Sequence, residues 1–237
     1  MTEFNMQKLR ELCADFIELD DTALTRLSKY GNLLLEWNEK INLTAITDPD
    51  EVLIKHFYDC LLFLKKVDVP QGAKVIDVGT GAGFPGMVLA IARPDIKLCL
   101  LDSLNKRVNF LCEVLRELGL SAEAVHLRAE EGARKAEYRE QYDIACARAV
   151  AALPTLAEYC LPYVKEGGSF IAMKGPAAAE ELKAAYTALK TLGGDKGTLA
   201  EEKLPDGSER CFVFVKKISQ TPTKYPRQSA KIAKQPL

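Results

Sequence analysis

The spacing of hydrophobic residues changes character along the chain. Over the first seventy residues it is helical: Leu9, Leu12, Phe16 and Leu19 mark one segment, and Leu24, Leu27, Leu34 and Trp37 a second. Asp20-Asp21-Thr22 between them supplies N-cap residues. A third helix is predicted over 49–66, with Val52, Leu53, His56, Phe57, Leu61 and Leu64 along one side. From Lys74 onward, short apolar runs alternate with helical stretches. Strands are predicted at 75–78, 96–101, 124–127, 142–147 and 169–173, and helices at 85–92, 103–118, 150–164 and 177–192. Two further strands, 197–204 and 210–216, flank Pro205-Asp206-Gly207 as a hairpin. Regular βα alternation followed by a hairpin predicts an α/β fold, a doubly wound and mostly parallel sheet with an antiparallel edge. The expected division is a helical extension (1–70), a sheet domain (71–217) and a basic tail (218–237).

Composition narrows this picture only a little. The 237 residues are 48% hydrophobic, which suits one large domain with an added segment and a sizeable core. No apolar run approaches the roughly 18 residues that cross a bilayer. The start (Thr2, Glu3, Asn5, Gln7) lacks the apolar core of a signal peptide, so no membrane partner and a cytoplasmic location are expected. Seven cysteines lie singly, none in a C-x-x-C pair, which points to reduced thiols and not to a metal cluster. The net charge of -1 is unremarkable, but its distribution is not. From Lys216 to the end there are six bases (Lys216, Lys217, Lys224, Arg227, Lys231, Lys234) and no acid. Charge alone leaves two readings of that tail open, a phosphate contact and a solubilising, partly disordered terminus.

The chemistry gathers where the first strand ends. Val75, Ile76 and Val78 run into Gly79, Gly81 and Gly83 on alternate positions, and Pro85 then opens a helix that Arg93-Pro94 stops. A strand, a glycine turn and a helix N-terminus together form a cradle for a ligand carrying ribose, phosphate or a carboxylate. Gly81 to Gly86 matches G-x-G-x-x-G, the dinucleotide fingerprint, yet counted from Gly79 the third glycine falls on Phe84. The better description is an acid, Asp77, followed by G-x-G-x-G, which resembles the first motif of S-adenosylmethionine-dependent methyltransferases with a Rossmann-like fold. An NAD-dependent oxidoreductase is the distant rival.

In such a sheet, ligands lie beyond the carboxyl ends of the strands. The candidates there are Asp77, Gly79, Gly81 and Gly83 after the first strand, and Asp102 after the second. Asp102 stands 21 positions beyond Gly81, near the offset at which an acid reaches ribose hydroxyls, with Ser103 beside it. Ala129 and Glu130 follow the third strand, Arg148 the fourth and Lys174 the fifth. Each has a plainer reading: Asp102-Ser103 as a helix cap, and Glu130-Glu131 as a solvated helix start. Arg148 is harder to explain away, because it interrupts a small, apolar run from Ile144 to Ala152 and needs an anionic or carbonyl partner. His56 reads as a core or capping residue, and His126 as part of a strand.

Taken together, Asn42-Leu43-Thr44-Ala45-Ile46, Lys55-His56-Phe57, Asp77 to Gly86, Leu101-Asp102-Ser103 with Lys106-Arg107, Ala147-Arg148-Ala149-Val150, Met173-Lys174-Gly175 and Lys224-Tyr225-Pro226-Arg227 occur in the order found in one bacterial family. The chain resembles the glucose-inhibited division protein B family, the small-subunit ribosomal RNA guanine-N7 methyltransferases. The resemblance implies a Rossmann-like class I methyltransferase sheet, S-adenosyl-L-methionine as cofactor, and 16S rRNA, the small ribosomal subunit or an assembly intermediate as partner. It implies methylation of N7 on one guanine near the decoding site; because N7 carries a lone pair and no proton, direct in-line transfer without a general base is expected, and with no evident dimer stripe a monomer is the default. It further implies that Gly79, Phe84, Ala129, Glu130 and Arg148 lie at the cofactor, and that Arg148 and Lys174 serve the RNA. The tail departs from the family pattern: Ser229-Ala230-Lys231-Ile232-Ala233 stands where a glycine and a Thr-Pro-Asn run usually follow Tyr-Pro-Arg.

Overall fold

Alternation along the first strand, β1 (Lys74–Val78), organises both layers of the protein. The computed structural model describes residues 2–237. Val75 faces one hydrophobic cluster, while Ile76 and Val78 face the other. This is the period-2 pattern of a strand buried on both sides. Around it the sheet runs β3-β2-β1-β4-β5-β7-β6. Here β2 is Lys97–Asp102, β3 Glu123–His126, β4 Tyr142–Arg148, β5 Val164–Lys174, β6 Thr198–Lys203 and β7 Glu209–Lys216. The pairs among β1 to β5 are parallel, and β7 and β6 close the edge antiparallel. Strand order reverses between β1 and β4, so a crevice opens at their carboxyl ends.

On the Val75 face lie α1 (Met6–Cys13), α2 (Asp21–Asn38), α3 (Pro49–Val52), α4 (Asp59–Lys66), α5 (Gly86–Ala92) and α6 (Asn105–Leu118). Asp20 caps α2 by accepting from Ala23 N at 2.6 Å. Between α3 and α4 the helix widens into a π-helical stretch, Leu53–Tyr58, carrying His56; such bulges often mark functional sites. The opposite face carries α7 (Ala129–Gly132), α8 (Leu153–Cys160) and α9 (Ala178–Thr191).

Two boundaries differ from the hydrophobic pattern. The helix expected over 150–164 is shorter, because Ala149 adopts a left-handed conformation (φ 57°) and Pro154 suits only the first turn. A short 3-10 turn, Leu161–Tyr163, then passes directly into β5, which starts at Val164 and not at Ser169. Glycines 167 and 168 therefore sit inside a strand, opposite a register shift in β4.

The tail is folded, unlike the partly disordered terminus that its charge allowed. Lys217 is buried, its ammonium beside Leu161 O (2.8 Å), Thr221 Oγ1 (2.9 Å), Val164 O (3.0 Å) and Glu140 (3.1 Å). Arg139 donates to the carbonyls of Thr221 and Tyr225, and Arg227 makes a bidentate pair with the buried Glu158. A last helix, α10 (Ser229–Lys234), buries Ile232 and packs against α8.

Candidate cofactor and substrate site

The glycine loop is tied down from below by two carboxylates. Asp77 is fully buried, and its Oδ2 accepts from Thr80 Oγ1 (2.6 Å) and from Gly86 N (2.8 Å), joining the two ends of the loop. Its Oδ1 has no hydrogen-bond partner, and burial pushes the carboxyl up to about 6. Asp102, at the end of β2, accepts from Gly81 N through Oδ2 and from Leu104 N through Oδ1, both at 2.9 Å. The Arg107 guanidinium lies 3.6 Å away. Gly79 N and Thr80 N add bonds to Leu101 O. The loop is thus fixed by main-chain donors before any ligand arrives.

Above that floor the site is open. Gly81 has φ 62°, and a Cβ built there meets nothing within 4 Å, so the space beside Asp102 admits a ligand close to the backbone. Open space over a bent backbone, a buried carboxylate held just beneath it and an apolar rim all suit a nucleoside-type cofactor. The rim was not visible in the sequence. Leu104 and Val150 are two of four large apolar side chains exposed among the described residues. They follow the ends of β2 and β4, and Val150 approaches the loop so closely that a Cβ on Gly79 would lie 2.9 Å from it. An exposed leucine two positions after a strand-ending acid was the signal available. Ser103 is exposed beside Leu104, and its carbonyl is 3.1 Å from His126 Nε2. On the far side, Ala129 accepts from Tyr163 OH through its carbonyl (2.7 Å), and Glu130 is buried.

The helical extension reaches the same loop. Tyr30 of α2 donates to Ala82 O, and its ring packs 5.5 Å from Phe84. Phe84 in turn lies under the His56 ring (4.4 Å) and under the Arg148 guanidinium (4.9 Å). Arg148 is held from three directions: by Asp59 Oδ2 (2.8 Å), Lys55 O (3.0 Å) and His56 Nδ1 (3.1 Å). Asp59 is itself buried and accepts a second guanidinium, Arg210 Nε, through Oδ1 at 3.0 Å. His56 Nδ1 lies 3.1 Å from both the Arg148 guanidinium and Lys55 O, and its Nε2 lies 2.8 Å from Thr44 Oγ1, so both ring nitrogens are engaged. Burial, with Arg148 adding to it, pushes His56 down to about 3 and keeps it neutral.

Next to Arg148, paired across the sheet with its neighbour Met173, stands Lys174. Its ammonium donates to Ala151 O (2.6 Å) and to Glu181 Oε2 (2.7 Å). Ile46, Lys55, His56, Asp59, Arg148, Ala149, Met173, Lys174, Gly175, Glu181 and Arg210 line one cleft, with four cations against two carboxylates. The structure therefore brings together the glycine loop, Asp102, Arg148 and Lys174. It sets Asp77 beneath the loop, with no exposed surface. Among the described residues, no group of acids, histidines and cysteines has the geometry to hold a metal. Among the described residues, no helix is long and apolar enough to cross a membrane.

Comparison with known proteins fits this geometry. Among solved structures, the fold is similar to an S-adenosylmethionine-dependent O-methyltransferase from Thermotoga maritima, with TM-score 0.52 and 17% identity over 80% of this chain and 72% of that one. It is also similar to a branched-chain polyamine synthase mutein from Thermus thermophilus, with TM-score 0.59 and 13% identity over 86% and 68%. At such identities they share the architecture alone. Sequence relatives are much nearer. Proteins called ribosomal RNA small subunit methyltransferase G are 48% identical in Clostridium perfringens, over 93% of both chains, and 50% identical in Desulforamulus reducens, over 93% of this chain and 92% of that one. The family model for rRNA small subunit methyltransferase G matches residues 23–206, and with these relatives it shows that the chain belongs to that family.

Proposed function

We propose that this protein transfers a methyl group from S-adenosylmethionine to N7 of a single guanine in 16S rRNA, within the small subunit or an assembly intermediate. When bound, the cofactor supplies an electrophilic sulfonium methyl; everything else falls to the chain's own residues. Gly79, Gly81 and Gly83 would let the backbone lie against the ligand, Asp102 and Ser103 would hold its sugar, and Leu104 and Val150 would cover its apolar surface. Ala129 and Glu130 close the far side. Asp77 works from underneath: it holds the loop in shape and does not itself touch the ligand.

The observation that carries this reading is a cleft next to the loop in which four cations outnumber two carboxylates and the lining histidine is already engaged. His56, the one histidine lining that cleft, has both ring nitrogens engaged and is kept neutral by burial, with the Arg148 charge adding to it. Guanine N7 presents an in-plane lone pair and carries no proton, so its attack on a methyl group needs no base, only alignment and a favourable field. The cleft cations offer partners for phosphates beside the target base.

Small subunits from cells lacking the protein, incubated with it and labelled S-adenosylmethionine, test the reading. The expected product is one 7-methylguanine in 16S rRNA, located by chain scission at that base. Label on another atom, on several bases, or only on metabolites or protein overturns it.

A further inference from the structure

The cleft holds two carboxylates, and they are not equivalent. Asp59 is committed on both oxygens, to Arg148 and to Arg210, and is buried. Glu181, at the start of α9, uses only Oε2, which accepts from Leu153 N (2.7 Å) and from Lys174 (2.7 Å). Its side chain is 27% exposed, and it lines the cleft. Lys174 directs two of its three ammonium protons to Ala151 O and Glu181, which leaves one for the cleft. One acceptor oxygen and one cationic donor therefore stand side by side at the end of β5, facing the space where the reading above seats the target base.

We propose that Glu181 and Lys174 together read the target base as guanine. This assignment rests on the methyl-transfer reading. The N7 lone pair does not identify a guanine, because adenine has the same one. The two purines differ at their Watson–Crick edges, the edge by which proteins read unpaired RNA bases. Guanine presents O6 as an acceptor and N1–H with the N2 amino group as donors; adenine presents the N6 amino donor and N1 as an acceptor. The Lys174 ammonium donates to O6 and the Glu181 carboxylate accepts from N1–H. Adenine in the same place sets donor against donor and lone pair against carboxylate, so both groups reject it. Sites that pair a buried donor and acceptor with their substrate discriminate far more sharply than sites that read shape alone.

The test uses small subunits carrying either guanine or adenine at the mapped position, with wild-type protein, Glu181→Gln and Lys174→Met. Cofactor affinity, measured by calorimetry, reports whether each variant is folded at its loop. Glu181→Gln is expected to bind S-adenosylmethionine within about twofold of wild type, lose about 100-fold in kcat/KM on guanine subunits, and lower the guanine-over-adenine ratio at least about tenfold. A ratio equal to wild type overturns the proposal even when the rate falls, because a carboxylate that only supports Leu153 N slows both substrates alike. Should Glu181→Gln fail to bind the cofactor, Lys174→Met decides on the same ratio, with a tenfold fall supporting the proposal and no change removing it. A wild-type protein that forms no 7-methylguanine on guanine subunits defeats the methyl-transfer reading itself, and the silent wild type distinguishes that result from a failure at Glu181.

Discussion

The two halves of the site are held by different means. Under the glycine loop, Asp77 and Asp102 accept from main-chain amides and one hydroxyl within 21 positions in sequence. In the cleft, Asp59 meets Arg148 across 89 positions and Arg210 across 151, joining α4, β4 and β7. The loop half presents a shaped backbone, and the cleft half a set of ion pairs in which cations outnumber carboxylates. Bonds of the first kind require only that β1 and β2 pair, whereas the buried triad requires three distant elements to be packed together. The difference predicts which substitutions damage the whole fold and which damage one ligand.

Asp59→Ala should do the greatest harm. It leaves two partly buried guanidinium groups without their carboxylate, at a cost of about 3–5 kcal/mol, and urea unfolding should show a lower midpoint at unchanged slope. Asp59→Asn, which keeps the shape and one of the two acceptor oxygens but removes the charge, should cost visibly less; losses equal to those of Asp59→Ala would mean that the charge alone joins these elements. Next comes Asp77→Ala, which strands the Thr80 hydroxyl and the Gly86 amide in the core and should cost about 2–4 kcal/mol. Asp77→Asn retains an acceptor for both and should stay within about 1 kcal/mol, since the lost oxygen, Oδ1, has no partner in the native state. Asp102→Ala should weaken S-adenosylmethionine binding by about 1.5–3 kcal/mol, read by calorimetry, while the fold survives; undiminished affinity takes Asp102 out of the site.

Acid separates the halves more gently. His56 is pushed down to about 3 in the folded protein, against an ordinary value near 6.5 when unfolded. Between those values the unfolded chain binds the extra proton, so this contribution to stability is complete above about 6.5 and falls as pH drops toward 3, by at most about 1.4 kcal/mol per unit. Asp77, pushed up to about 6, acts oppositely between about 4 and 6, because there the folded state binds the extra proton. The quantity to measure is therefore the difference between wild type and His56→Gln from pH 7 down to 4.5. It should narrow steadily with acidification, and a constant gap would show that folding does not lower the proton affinity of His56.

Much of this protein is legible in its sequence. The order of strands and helices, the closing hairpin and the glycine loop follow from period and turn chemistry, both local properties. So does the distance from Gly81 to Asp102, which the fold turns into a hydrogen bond. Elsewhere the sequence stopped short. Arg148 declared its need for an anion, but nothing adjacent identified Asp59 as the partner, because the start of α4 and a strand end meet only in the packed state. The charge of the tail said nothing about Lys217 and Arg227 turning inward, since the acids that receive them, Glu140 and Glu158, lie 77 and 69 positions away.

What the sequence alone determined, then, is the sheet, the cradle and the kind of ligand that fits it, because backbone conformation and hydrophobic period are set by near neighbours. Tertiary structure decided the rest: that Asp77 is a buried brace, that Phe84 lies beneath both His56 and Arg148, and that Glu181 keeps one oxygen free beside Lys174. Burial and charge pairing depend on what long-range packing removes from water, and no short stretch of chain carries that information.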